Sequence, residues 1–336
     1  MLTSNLGDMA RILMMSQQTT RVKTQLSALT AELSSGRKSD LQGHLKGVFA
    51  PLAGVEHSLK LIDSYSAANR EAAQFAEAQQ LALDNVQAVA STAGADFLNV
   101  ASTGEATQRA ATYARAEDQL EQVVARLNTQ FAGRTLFGGV ATTAPALADA
   151  ATLLADLSAA VGTPATGAAA LAAVDAWFDT PGGGFETLGY LGSTTDLAPF
   201  AIGEGETESL STRADAAPFR EVLKGLAITA LMGKGLLSGN TAAQKQILND
   251  AGGRLVNAAD DVIAVQAGIG YSEERIVMTQ QRSDTQAVAY ELAKNALVEA
   301  DPYDTATKLQ QVESQLETIF TLTARLSTLS LAKVLR

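Results

Sequence analysis

Several short stretches carry residue types that could do chemistry. Gly268-Ile269-Gly270 stands inside a helical pattern, where a glycine loop could cradle a phosphate. It lacks the third spaced glycine and the preceding strand that such a loop requires. Gly133-Arg134-Thr135-Leu136-Phe137-Gly138-Gly139 lacks the glycine-lysine-hydroxyl ending of a nucleotide loop and reads as a turn between a helix and an inserted domain. Glu273-Glu274 and Asp260-Asp261 could share a proton, but adjacent residues on a helix point in different directions. His44 and His57 are the only histidines, too few for a multi-histidine metal site, and there is no cysteine. That excludes a disulfide framework, a thiolate metal site and a cysteine nucleophile. The single tryptophan, Trp177, fits a core better than a ligand platform. No catalytic residue, cofactor site or metal site is expected.

Hydrophobic residues make up 46% of the 336-residue chain but aromatics only 5%, so burial rests on Ala, Leu and Val. Such residues suit helices packed closely along seams. The net charge of −11 makes a nucleic-acid partner unexpected. Its distribution is uneven: residues 1–50 carry +3, residues 302–336 carry +1, and −15 lies between. Two nearly neutral ends can lie beside copies of themselves without strong repulsion. No run of about 18 apolar residues is present, so membrane insertion is not expected. The opening MLTSNLGDMARILMM has no basic leader with a continuous apolar stretch, so no cleaved signal peptide is expected either.

Proline and glycine mark the organisation. Five of the seven prolines and 13 of the 27 glycines fall in 141–240, while 52–144 and 219–301 hold no proline. Proline breaks helix interiors, so its absence permits long helices. The spacing predicts a first helix from about Asn5 to Leu33, about 43 Å long. Its seam is Ile12, Met15, Thr19, Val22, Leu26, Leu29 and Leu33, at the 3,4 spacing of a coiled coil. A second helix is predicted over 52–93, and a third up to about Phe131 after a break at Ser102-Thr103-Gly104-Glu105. A long helix is predicted over 241–300. Asp301-Pro302 stops it, because the residue before proline avoids helical geometry. The last helix begins near Asp304 as N-cap, with Leu309, Val312, Leu316, Ile319, Leu326 and Leu329 as its apolar positions.

Inside 141–240, two alanine-rich helices are expected at about 146–160 and 167–178, short strands over 185–215, and a helix over 219–232. The fold class is mainly α: a long coiled-coil or rod-like helical bundle from the N- and C-terminal segments, with an inserted α+β outer domain. The expected domains are 1–50, a terminal helix and connector disordered in the monomer; 51–140 with 241–300, a helical rod; 141–240, the insertion; and 301–336, the C-terminal helix. The assembly interface is expected at the apolar positions of the two terminal helices named above.

Three groups of residues resemble a known family. Leu33-Ser34-Ser35-Gly36-Arg37 resembles the segment after the first helix of flagellins and hook-associated proteins. The 133–139 stretch resembles the turn where those proteins enter their variable domain. Asp301-Pro302, Ala306-Thr307-Lys308-Leu309-Gln310-Gln311 and Leu329-Ser330-Leu331 resemble the C-terminus of hook-associated protein 3, the hook–filament junction type. The resemblance covers about 5–139 and 241–336. It implies a structural, non-enzymatic subunit of the bacterial flagellum, with motility as its role. It also implies type III export to the extracellular appendage without a cleaved signal peptide. The implied partners are copies of itself in a helical ring, hook-associated protein 1, flagellin and an export chaperone. The 40–54 connector and the opening residues differ from those of a main flagellin, so a flagellin-like filament subunit is the alternative.

Overall fold

The computed structural model describes residues 3–334, with side chains described over 9–11 and 13–325. It is mainly α, with two small two-stranded sheets among the described residues. Helices α1 (Thr3–Ser35), α2 (Leu41–His44), α3 (Ala50–Thr103) and α4 (Ala106–Leu127) come first. The hairpin β1 (Gln130–Phe131) and β2 (Arg134–Thr135) follows, then α5 (Ala150–Val161), α6 (Gly167–Asp179) and a π-helical turn at Phe185–Gly189. A second hairpin, β3 (Phe200–Gly203) and β4 (Glu206–Glu208), leads to α7 (Ala217–Gly233), α8 (Thr241–Val298) and α9 (Pro302–Val334).

The chain packs as two units: 1–62 with 285–336, and 63–284. The boundary falls within α3 and α8. This division groups both chain ends together and leaves 141–240 with its neighbouring helices, so it runs differently from the four segments that proline and glycine mark.

In the 63–284 unit, Phe75, Leu83, Phe97, Leu120, Leu127, Phe219 and Leu255 are essentially sealed from solvent. Helix α4 lies along α7. Small residues bring backbones together. A Cβ on Gly252 of α8 would lie 2.8 Å from Leu98 Cγ and 3.0 Å from the Gly94 carbonyl oxygen of α3. A Cβ on Gly225 of α7 would lie 2.8 Å from Leu255 Cγ. This explains one departure from the sequence reading. Helix α3 runs past residue 93 to Thr103, because Gly94 serves a helix crossing and is not a stop. The break then falls at Gly104, and Glu105 starts α4 by donating its N–H to Gln108 Oε1 at 3.0 Å.

The 133–139 stretch is a turn. Ala132 and Gly133 take left-handed φ of 49° and 77° at the tip of the β1–β2 hairpin. Phe137 then enters the core, its ring 6.1 Å edge-on from Phe219. The guanidinium of Arg134 lies 5.8 Å from the Phe75 ring and 6.0 Å from the Phe200 ring, and pairs with Glu71 at 2.6 Å. A Cβ on Gly139 would meet the Thr195 carbonyl oxygen at 2.4 Å, so only glycine passes there.

Other expectations shift. The first alanine-rich helix starts at Ala150, not 146, because Asp149 accepts from the Thr152 N–H at 2.9 Å and caps it. Residues 185–189 form a π-helical turn where strands were expected, and only 200–208 pairs as a hairpin. The reason is Trp177, whose indole lies over Gly184 and stacks edge-on at 6.1 Å with Phe185, holding the turn against α6. Helix α9 is capped by Asp301, not Asp304: its Oδ1 accepts from the N–H of Tyr303 at 2.8 Å and of Asp304 at 3.2 Å.

Gly252→Val is expected to cost about 1–3 kcal/mol by overpacking. Gly253→Ala, where an added Cβ meets nothing within 4 Å, is expected to stabilise by about 0.5–1 kcal/mol. Paired thermal melts that move both variants in the same direction would contradict the crossing at Gly94 and Gly252.

Candidate functional site

The residues that could have done chemistry do not converge. Gly268 and Gly270 lie within α8, which continues through them, so they form no loop. Asp260, Asp261 and Glu274 are exposed helix residues, as are His44 and His57. Among the described residues, no group of three or more His, Asp or Glu side chains is placed to hold a metal. No helix among them is long and apolar enough to cross a membrane. Trp177 is core, 4.8 Å edge-on from Phe178. Tyr190 is pushed up to about 12, first by burial and then by Asp215, against the opposing Arg213. Its hydroxyl donates to the Ser193 carbonyl at 2.9 Å, so it is a structural donor.

One charged cluster surrounds a buried lysine. Lys224 of α7, only 3% exposed along its side chain, reaches Glu221 at 2.6 Å and Asp175 at 3.8 Å, and also pairs with Asp179. Arg254 of α8 grips Asp175 with two bonds, of 2.8 and 2.9 Å, and also meets Glu221 and Asp250. Burial lowers the pKa of Arg254, and its pairs with Asp175 and Asp250 outweigh that, so the guanidinium stays charged. Each acid pairs with at least one cation, Asp179 with Arg220 as well as Lys224. The cluster ties α6, α7 and α8 together.

The terminal helices form the other candidate. Val22 and Leu29 of α1 bury against Val312 and Ile319 of α9, with Leu26, Leu309 and Leu316 half-buried beside them. Met15 is half-buried, and Leu33 is 42% exposed. The side chains of Ile12, Leu326 and Leu329 lie outside the described residues. Thr19, the polar member of the seam, returns its hydroxyl to the Met15 carbonyl at 2.8 Å, which satisfies it within the helix. Lys23 Nζ lies 5.7 Å from the Phe320 ring across the pair.

The pair is antiparallel, because the end of α1 is joined to the start of α9. Lys38 N–H donates to the Val298 carbonyl at 2.9 Å, and Ala300 N–H to the Gly36 carbonyl at 2.9 Å. Arg37 and Glu299 form the bridge between them. Gly36 makes this turn at φ +67°, where an L side chain is strained. Glu32, in the last turn of α1, is 8% exposed and accepts from Ser39 N–H at 3.0 Å, Ser39 Oγ at 2.9 Å and Lys38 Nζ at 3.4 Å.

Sequence reasoning missed Glu32, Lys38 and Ser39. The one available signal was a carboxylate in a last helical turn, where the dipole disfavours it. It also missed the apolar residues that the seam leaves out. Met9, Leu13 and Met14 of α1, and Phe320 and Leu322 of α9, are 46–73% exposed. They flank the 3,4 positions, so a search for the seam alone passes over them.

No protein-family model and no curated protein matches the chain. Solved structures share its fold. A protein of Vibrio parahaemolyticus assigned as a flagellar hook-associated protein aligns with a TM-score of 0.53 at 11% identity, over 73% of this chain and 95% of that one. FlgL of Bacillus cereus aligns with a TM-score of 0.50 at 16% identity, over 70% of this chain and 96% of that one.

Lys224→Ala leaves three carboxylates around an empty site. Breaking a buried pair costs roughly 3–5 kcal/mol. The acids here are about a third to a half exposed, so a loss of about 2–3 kcal/mol is expected after solvent screening. Urea denaturation of the variant measures it, and a change below about 0.5 kcal/mol would contradict the structural role.

Proposed function

We propose that this chain is a structural subunit of the bacterial flagellum, of the hook–filament junction type, and that it assembles through its terminal helices. One observation carries the reading. Among the described residues, the terminal pair buries Val22, Leu29, Val312 and Ile319 and leaves Met9, Leu13, Met14, Phe320 and Leu322 in water. Exposed apolar side chains beside such a seam are what subunit packing uses, each contributing roughly 1.5–3 kcal/mol when buried. The nearly neutral charge of the ends permits that packing. The fold shared with FlgL and with the Vibrio protein supports the reading, as do the resembling segments at both ends. The cluster chemistry offers no competing enzymatic site among the described residues.

The partners on this reading are copies of the chain, hook-associated protein 1 on the hook side, flagellin on the filament side and an export chaperone in the cytoplasm. The chain reaches the outside through the flagellar type III route.

Deletion of the gene is expected to leave hooks while flagellin monomers appear in the medium, as seen by electron microscopy and blotting. Full-length filaments on the deletion strain would overturn the junction role. In a complemented strain, Leu26→Asp or Leu316→Asp is expected to block incorporation while the 63–284 unit keeps its helical circular dichroism. Normal filaments from both variants would remove the terminal helices from assembly.

A further inference from the structure

We infer that Gly268 and Gly270 form a flexure in α8, where the helix opens and re-forms while the core on its N-terminal side stays packed. Glycine in a helix interior destabilises it relative to alanine, because more backbone freedom is lost on ordering. Gly94, Gly225 and Gly252 offset that cost by close approach: a Cβ on each would lie 2.9 Å or less from a neighbouring atom. No such approach requires the other pair. A Cβ on Gly268 would meet nothing within 4 Å, and one on Gly270 only Gln80 Nε2 at 4.0 Å. They stand two residues apart in a helix that runs unbroken from Thr241 to Val298.

The packing changes at the same point. On the N-terminal side Leu248, Ala251, Leu255 and Val262 are sealed from solvent. From 263 to 282 only Ile269, Ile276 and Thr279 are buried. Gln266, one turn before Gly270, is pinned to α3. Its carbonyl accepts from Gln80 Nε2 at 2.9 Å, and its Nε2 donates to Asp84 Oδ1 at 2.6 Å. That carbonyl is the one the Gly270 N–H reaches in an α-helix. Gln80 keeps it satisfied when the Gly270 bond opens, which lowers the cost of opening. Beyond the glycines, α8 is held to the β3–β4 hairpin by Arg275–Glu208 at 3.2 Å and by the Arg282–Glu206 pair, with both arginine side chains more than half exposed. Pairs so open to water hold weakly. The stretch they hold carries Tyr271, Val277 and Met278, which are 51–72% exposed. The flexure thus shifts an apolar face without disturbing the sealed core. It lies wholly within the 63–284 unit and stands whether or not the chain joins a flagellum.

Amide hydrogen exchange on the full chain, corrected for intrinsic rates, tests this. The amides of 270–274 bond across the glycines. In the wild type they are expected to exchange about tenfold or more faster than those of 255–262, because a local opening suffices. Gly268→Ala with Gly270→Ala is expected to slow 270–274 about tenfold, the factor that two such replacements carry. Gly253→Ala separates a local opening from a general one. It strengthens the same helix at another open position, so it is expected to slow 255–262 about two- to fivefold and to leave 270–274 unchanged. Equal protection of the two stretches in the wild type overturns the flexure. So does a Gly253→Ala variant that slows both stretches alike, or a double alanine variant in which 270–274 exchanges at the wild-type rate.

Discussion

The pairing of Gly36–Lys38 with Val298–Ala300 sets what the two ends of this chain can do. It places the last turn of α1 beside the first turn of α9, so the two helices run antiparallel and their seams meet within one molecule. Without that join the seam residues would have no defined partner, because an apolar stripe is non-directional and fits many helices equally well. Hydrogen bonds supply the direction that apolar burial lacks. Gly36 makes the join sterically possible with its positive φ, and Asp301 starts α9 at the right residue.

The 63–284 unit is held by different physics. There the helices approach at Gly94, Gly225 and Gly252, where a methyl group would strike a neighbouring backbone or leucine. Close approach lets a core poor in aromatics reach full packing, since dispersion falls off steeply with a gap of even half an ångström. Aromatic pairs join the insertion to its neighbours, Phe75 with Phe200 and Phe137 with Phe219, and pack within it, Trp177 with Phe178 and Phe185. The Lys224–Arg254 cluster then fixes α6 to α7 and α8. The stretch rich in proline and glycine is thus integral to this unit.

The two units are packed differently. The 63–284 unit seals a large apolar core, while Leu81, Tyr271 and Met278 stay in solvent. The other buries a smaller apolar cluster, with Met9, Leu13 and Met14 exposed.

The sequence by itself determined the local elements. Proline-free stretches and 3,4 spacing located α1, α8 and α9 to within a few residues, and the break at Ser102–Glu105 and the stop at Asp301-Pro302 were plain. These signals are local, because helix periodicity and proline sterics act within a turn or two of the chain. Val22, Leu29, Val312 and Ile319 were legible as seam positions for the same reason. What only the tertiary structure decided involves residues far apart in sequence. The second helix reads as ending at 93 until Gly252 is seen against Gly94. The 185–189 stretch reads as a strand until Trp177 packs over it. Glu32 has no role in the sequence pattern until Lys38 and Ser39 fold back onto it. Each of those outcomes depends on a neighbour that no local pattern specifies.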